Sequence, residues 1–263
     1  MLALIAGSGT LPAAIAQQQA QRPLVCVFEG FDPEGLEADL VFRLETLGTL
    51  LNDLKARGVT EVCFCGAIRR PPVDPSRIDA ATLPLFAILR EALRAGDDGA
   101  LRAVAGLFLS AGFAVKGAAE LAPGLLPVAG VPTSGQPTAQ AEGDAARAET
   151  IVRTLSGADV GQTCAVLKGQ ALAIEGVFGT DWMLASLAAR PDQGGGVMFK
   201  APKVGQDRRV DLPTIGPDTV ASCVAARLDG IVIEAGGVMV LDREAVISAC
   251  DAAGLFLWVR EPA

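Results

Sequence analysis

Leu2-Ala-Leu-Ile-Ala-Gly-Ser-Gly-Thr-Leu-Pro12 is the stretch from which the fold is read. Leu2–Ala6 is a short, unbroken apolar run, as a strand buried on both faces requires. Gly7-Ser-Gly-Thr10 follows as a tight loop. Leu11–Ala20 reads as a helix with Pro12 in its first turn, where the missing amide breaks no helical bond. The same order repeats outward. Leu24–Phe28 reads as a second strand. Thr46 stands as N-cap to a helix reaching Arg57 and closed by Gly58, and Glu61–Cys65 is a further strand ended by Gly66. Leu83–Ala95 and Ala100–Ala111 read as helices on either side of Gly96-Asp-Asp-Gly99. Strands alternating with helices predict a parallel sheet covered on both faces.

Between Leu121 and Gln140 the pattern stops, punctuated by Pro123, Gly124, Pro127, Gly130, Pro132, Gly135 and Pro137, which read as a linker. Beyond it, Ala139–Leu155 is a helix, and Thr163–Leu167 and Ala171–Glu175 are strands joined at Lys168-Gly-Gln170. Thr180 and Asp181 are placed to cap a helix to Ala189. Ile231–Glu234 and Val238–Leu241 flank Gly236-Gly237, a hairpin signal, and Asp242 caps a helix to Ala252. The expected architecture is α/β. An N-terminal Rossmann-like parallel-sheet domain (1–125) and a C-terminal mixed-sheet α/β domain (139–263) are joined by the Pro/Gly-rich linker (126–138).

The 263 residues carry 22 Lys and Arg against 30 Asp and Glu, a net charge of −8, and 51% are apolar, which is a globular composition. Such an acidic chain speaks against nucleic acid as a partner, because that affinity comes from cations neutralising phosphates. Histidine and tyrosine are absent. Imidazole bases, His-containing triads and His-based metal sites are thereby excluded. Chemistry falls to carboxylates, Lys, Arg, hydroxyls, thiols, backbone amides or a bound metal. Cys26, Cys63, Cys65, Cys164, Cys223 and Cys250 form no C-x-x-C pair and read as small buried hydrophobes of a reducing compartment. No basic segment precedes the first apolar run, and no 18 apolar residues run together, so the expectation is a cytoplasmic protein with at most peripheral membrane contact.

Four groups of residues carry chemistry. The Gly7–Thr10 loop opens a helix, whose free amides favour phosphate. A dinucleotide fingerprint would want a third glycine where Pro12 stands, while Glu29 ends the second strand where a ribose-binding acid belongs. Nucleotide binding, a nicotinamide site and a plain turn stay open there. Asp97 and Asp98 cap a helix or hold a metal. Lys200, Lys203, Arg208 and Arg209 crowd around Asp207 and Asp211, and such local positive charge in an acidic protein suits a phosphate-bearing ligand. Glu175, Thr180 and Asp181 form an all-oxygen set that suits Mg²⁺ or Mn²⁺, or else simply cap a helix.

Taken in order, Leu4-Ile-Ala-Gly-Ser-Gly-Thr-Leu-Pro12, Phe64-Cys-Gly66, Gly96-Asp-Asp98, Glu175 with Gly179-Thr-Asp181, Lys200-Ala-Pro-Lys203 and Arg209-Val-Asp-Leu-Pro-Thr-Ile-Gly216 make the chain resemble the LpxI-type UDP-2,3-diacylglucosamine pyrophosphatases of lipid A biosynthesis. Departures are Ser8, where glycine is common, and Ala67-Ile68-Arg69. The resemblance implies a cytoplasmic two-domain enzyme that cleaves UDP-2,3-diacylglucosamine to UMP and 2,3-diacylglucosamine 1-phosphate (lipid X) with a divalent cation, usually Mg²⁺. It also implies that the essential aspartate is Asp211. With the resemblance, substrate binding is expected at Gly7, Ser8, Gly9, Thr10, Leu11, Asp98, Thr180, Lys200, Lys203, Arg209 and Thr214, and metal binding at Asp211, Asp181 and Glu175. Whether Asp211 holds metal or orients water stays open, as does homo-oligomer formation. The competing classes are a nicotinamide-dependent oxidoreductase and a non-catalytic nucleotide- or lipid-binding regulator.

Overall fold

The structure, a computed structural model, describes residues 1–68, 73–92 and 97–262. It divides into two compact units, Met1–Pro123 with Asp207–Asp211, and Gly124–Gln206 with Leu212–Ala263.

The first unit holds strands β1 (Leu2–Ala6), β2 (Leu24–Phe28), β3 (Leu40–Phe42), β4 (Glu61–Cys65) and β5 (Ala114–Val115). They lie in the order β3-β2-β1-β4-β5, with all pairs parallel. The parallel sheet matches the sequence reading, and β1, β2 and β4 match it residue for residue. The three-residue β3 carried no signal of its own, because so short a run shows no periodicity. The chain runs outward from β1 to β3, then returns to the other side of β1, so the order reverses between β1 and β4. In open α/β sheets that reversal point is where ligands sit.

Helices α1 (Leu11–Gln17), α2 (Leu47–Ala56), α3 (Phe86–Ala92), α4 (Asp97–Ser110) and α5 (Ala118–Leu121) accompany the sheet. Alternate strand residues face opposite ways. Ala3, Ile5, Cys26, Phe28, Val62 and Phe64 pack with Leu47, Leu50, Leu51 and Leu54 of α2 and Leu107 and Phe108 of α4, while Ala6, Val25 and Val27 form a smaller cluster of their own. Two expected helices are shorter. The first ends at Gln17, before Gln18 and Gln19. A 3₁₀ turn over Leu83–Leu85, built on Pro84, precedes α3. The expected loop residue Gly96 lies outside the described residues. The short Asp207–Asp211 segment contributes Val210 to this core.

The second unit holds α6 (Ala139–Ser156), β6 (Thr163–Leu167), β7 (Gln170–Ile174), α7 (Gly179–Leu187), β8 (Val197–Lys200), β9 (Thr214–Ile215), α8 (Pro217–Ala225), β10 (Gly230–Glu234), β11 (Met239–Val240), α9 (Arg243–Ala253) and β12 (Phe256–Arg260). Its main sheet has the order β12-β10-β8-β6-β7. β8, β10 and β12 are parallel, and β6 and β7 are antiparallel, giving the mixed sheet expected. Ala141, Ala145, Ala148 and Val152 of α6 cover one face, against Cys164, Phe199 and Val232. Met183, Leu184, Val220, Cys223, Val246 and Cys250 of α7, α8 and α9 cover the other, against Ala165, Met198 and Ile231.

The hairpin expected at Gly236-Gly237 does not form. β10 already has parallel neighbours on both edges, β8 and β12, and offers β11 no free edge. β11 pairs instead with β9, in parallel. The Pro/Gly-rich stretch is fastened to β12: Gly130 and Val259 exchange backbone hydrogen bonds at 2.9 Å, and the Leu257 amide donates to Thr133 Oγ1 at 3.0 Å.

All six cysteines are free thiols and buried. Burial pushes the thiols of Cys26, Cys164 and Cys223 up to about 12, out of the range of a reactive thiolate. Among the described residues no helix is long and apolar enough to cross a membrane.

Candidate active site

At the point where the strand order reverses, the loops after β1 and β4 close on each other. The Gly7 amide donates to Cys65 O at 2.8 Å, and Ser8 and Ala67 exchange backbone bonds at 2.9 Å. A Cβ on Gly7 would lie 2.4 Å from Ala67 O, and one on Gly66, at φ +85°, would lie 2.5 Å from Gly7 O. Only glycine permits this approach. The cost to phosphate binding is that the Gly7 and Ser8 amides are already committed. The amides that follow, at Gly9, Thr10 and Leu11, have no acceptor inside α1. Thr10 is the N-cap of α1, but its side chain makes no capping bond. Glu29, at the end of β2, is ion-paired with Arg43, which also holds Glu45 at 3.3 Å.

Asp98 has its backbone in the first turn of α4, and its side chain lies outside the described residues. In the Asp207–Asp211 turn, Arg209 Nε and Nη2 donate to the two Asp207 oxygens at 3.0 and 2.8 Å. That fork holds the Asp207 carboxyl below its ordinary range. The half-buried Asp211 donates its own amide to Asp207 O at 3.2 Å.

The second unit gathers the densest polar group. Lys200, ending β8 and 7% exposed, donates Nζ to Thr180 Oγ1 at 3.0 Å. Thr180, in the first turn of α7, donates to Glu175 Oε1 at 3.0 Å, and Glu175 Oε2 accepts from the Gln162 amide at 3.0 Å. Thr163 Oγ1 lies 3.2 Å from Thr180 Oγ1. Thr180 and Asp181 therefore do not cap α7. Its N-cap is Phe178, which has no polar side-chain atom, and Thr180 lies inside the first turn, where its hydroxyl donates to the Glu175 carboxylate. Asp181 is exposed. Lys203 is ion-paired with Asp159, and its amide donates to Gln206 Oε1 at 2.8 Å. Thr214 opens β9 and is half-buried. The Gln162 carboxamide oxygen is buried and accepts from no group, an acceptor that a ligand donor would satisfy.

The N-terminal LpxI domain matches residues 1–125, and the C-terminal LpxI domain matches residues 128–258. The chain belongs to the LpxI family. A relative named UDP-2,3-diacylglucosamine pyrophosphatase LpxI, from Caulobacter vibrioides, is 36% identical over 275 residues, which cover 99% of this chain and 98% of that protein.

In this LpxI family member the structure brings Glu175, Thr180 and Lys200 into one hydrogen-bonded group. It groups Asp211 and Arg209 with the first unit, which also carries Gly7–Leu11. Sequence reasoning missed Gln162 and Thr163. Neither carries a motif, and each gains its role only when β6 is laid beside the loop after β7. It also missed Asp159, which neutralises Lys203. Among the described residues no three Cys, Asp or Glu gather as a ready metal site. Each Glu175 oxygen already accepts one hydrogen bond, which leaves one lone pair on each for a cation. Mg²⁺ needs no such cage, since it is commonly held by one or two carboxylates together with substrate phosphates.

Proposed function

We propose that this chain hydrolyses the phosphoanhydride bond of UDP-2,3-diacylglucosamine, with water, to UMP and 2,3-diacylglucosamine 1-phosphate. One observation carries the reading: the end-to-end likeness, at 36% identity, to the Caulobacter vibrioides protein of that name. Water adds to one phosphorus, the bridging P–O bond breaks, and the second phosphate leaves as a monoester. The protein must therefore neutralise diphosphate charge, hold the phosphates in line and orient the water.

In this reading Asp211 is the catalytic residue, a carboxylate suited to orienting the attacking water or to holding the divalent ion. Lys200, a buried ammonium, neutralises phosphate oxygens. Lys203 and Arg209 contribute by exchanging Asp159 and Asp207 for substrate. Gly9, Thr10 and Leu11 offer amides to the nucleotide phosphate, while Gly7 and Ser8 shape the loop. Asp98 and Thr214 complete the substrate contacts, while the Thr180 hydroxyl, expected among them, is taken up by Glu175, Thr163 and Lys200. Asp211, Asp181 and Glu175 are the carboxylates proposed for Mg²⁺, with Mn²⁺ accepting the same oxygens. When bound, the ion supplies charge neutralisation at the diphosphate.

The acyl chains would meet an apolar surface. Val177, Phe178 and Trp182 are 84%, 69% and 59% exposed and flank Thr180, with the two rings 5.4 Å apart. We place the enzyme in the cytoplasm, with peripheral membrane contact at most.

The test is UMP release from UDP-2,3-diacylglucosamine by the purified protein, followed by mass spectrometry. Hydrolysis is expected with Mg²⁺ and is expected to stop with EDTA. Asp211→Asn should lower kcat about 100-fold or more, the scale of losing a positioned carboxylate. An Asp211→Ala protein that released UMP at the wild-type rate would sink the assignment. The strand order favours a second reading, dinucleotide binding, but the Glu29–Arg43 pair and the committed Gly7 and Ser8 amides oppose it. Saturable NADH fluorescence enhancement would revive it.

A further inference from the structure

The Thr180 hydroxyl stands between three polar atoms: Lys200 Nζ at 3.0 Å, Glu175 Oε1 at 3.0 Å and Thr163 Oγ1 at 3.2 Å. An ammonium only donates and a carboxylate only accepts. The single Thr180 proton therefore goes to Glu175, and its lone pairs face Lys200 and Thr163. It follows that Thr163 is the donor in its bond to Thr180. Glu175 is fixed at its other oxygen by the Gln162 amide at 3.0 Å. Every rotor of the chain is thus set, and each member comes from a different segment: the start of β6, the loop after β7, the first turn of α7 and the end of β8. Thr163 is 1% exposed, Lys200 7% and Glu175 8%. Well-packed apolar residues often replace buried charges without loss of stability, so buried charge is weak evidence for a purely structural role.

We propose that Thr163, Glu175 and the Thr180 hydroxyl form a positioning relay that aims the Lys200 ammonium at a diphosphate. The inference rests on the reading of Lys200 as a substrate ligand, and it gives Glu175 a different task from metal binding. Glu175 takes the Thr180 proton, so that Thr180 presents a lone pair to Lys200. Glutamine cannot do the same work. Its carboxamide puts an NH2 group where one of the two oxygens stands, so either the Thr180 hydroxyl or the Gln162 amide faces a donor.

The experiment is a double-mutant cycle on the full-length protein, with inorganic pyrophosphate as the probe in titration calorimetry, beside steady-state hydrolysis of UDP-2,3-diacylglucosamine. Thr180→Val and Glu175→Gln should each weaken pyrophosphate binding about tenfold, the scale of one hydrogen bond to a charged group. In turnover they should raise KM more than they lower kcat. Thr163→Val should follow with a smaller loss, and Thr180→Ser should recover most of the affinity. Lys200→Met should weaken binding as well, and adding Thr180→Val to it should cost little more, because the relay acts only through that ammonium. A variant that melts early is replaced in the cycle by Thr163→Val.

Additive losses in the double variant overturn the relay. So does a Thr180→Val protein that binds pyrophosphate as the wild type does, or a wild type that binds no better than Lys200→Met. A wild type that leaves the lipid substrate intact, yet shows the coupled losses with pyrophosphate, keeps the relay and removes the proposed substrate instead.

Discussion

Glu45 shows how a single residue is decided by its neighbours. It is 2% exposed, and burial works to raise its carboxyl pKa, but hydrogen bonds from Arg43 and the Asp74 amide outweigh that effect. The pKa lies below its ordinary 4.5, so the proton binds the unfolded chain more readily than the folded one. The stability this contributes is present above the unfolded pKa and is lost as pH falls through the lower folded value. The urea midpoint should therefore fall with acidification between about pH 5 and 3 more steeply in the wild type than in Glu45→Gln. Equal slopes would show that Glu45 is not the group responsible. Nothing in Leu44-Glu-Thr46 announces a buried carboxylate, because its partner Asp74 lies 29 residues on. Lys200 and Asp211, by contrast, stand in motifs legible at a glance. What those motifs did not show is that Lys203 and Arg209 already have carboxylate partners.

At the scale of elements, local chemistry was a good guide wherever one segment set its own shape. Thr138 precedes α6, and its hydroxyl accepts from the Ala141 amide at 3.2 Å. Thr138→Ala should cost about 1 kcal/mol in chemical denaturation, and Thr138→Ser should restore it. A Thr138→Ala protein as stable as the wild type would show that the cap adds nothing. Capping logic failed at α7, where the helix starts at Gly179 and leaves Thr180 inside its first turn. Turn logic failed at Gly236-Gly237, where the strand before the turn had both edges taken. At Gly236-Gly237 the local signal was sound, and a partner distant in sequence won.

For the molecule as a whole, the late segment Asp207–Asp211 contributes to the early core. Val210 is 6% exposed among Leu54, Phe64 and Phe108 and their neighbours. Val210→Ala should therefore destabilise the first unit by roughly 1–3 kcal/mol, the range for buried methyl loss with a cavity. The two tryptophans, Trp182 and Trp258, both lie in the second unit. Amide exchange in β1, β2 and β4 should accelerate, while the tryptophan fluorescence transition moves less. The opposite pattern would place Val210 in the other core. The alternation of strands and helices, the parallel first sheet and mixed second one, the exclusion of imidazole chemistry and the motif around Asp211 were all legible in the residues alone. All of these follow from composition and from contacts within a few residues. Which amides of the Gly7–Leu11 loop remain for a ligand, which edge β11 would join and which way the Thr180 proton points became known only from the folded chain. Each of those depends on hydrogen-bonding groups brought together from separate parts of the chain, and a donor or acceptor can be committed only where its partner stands.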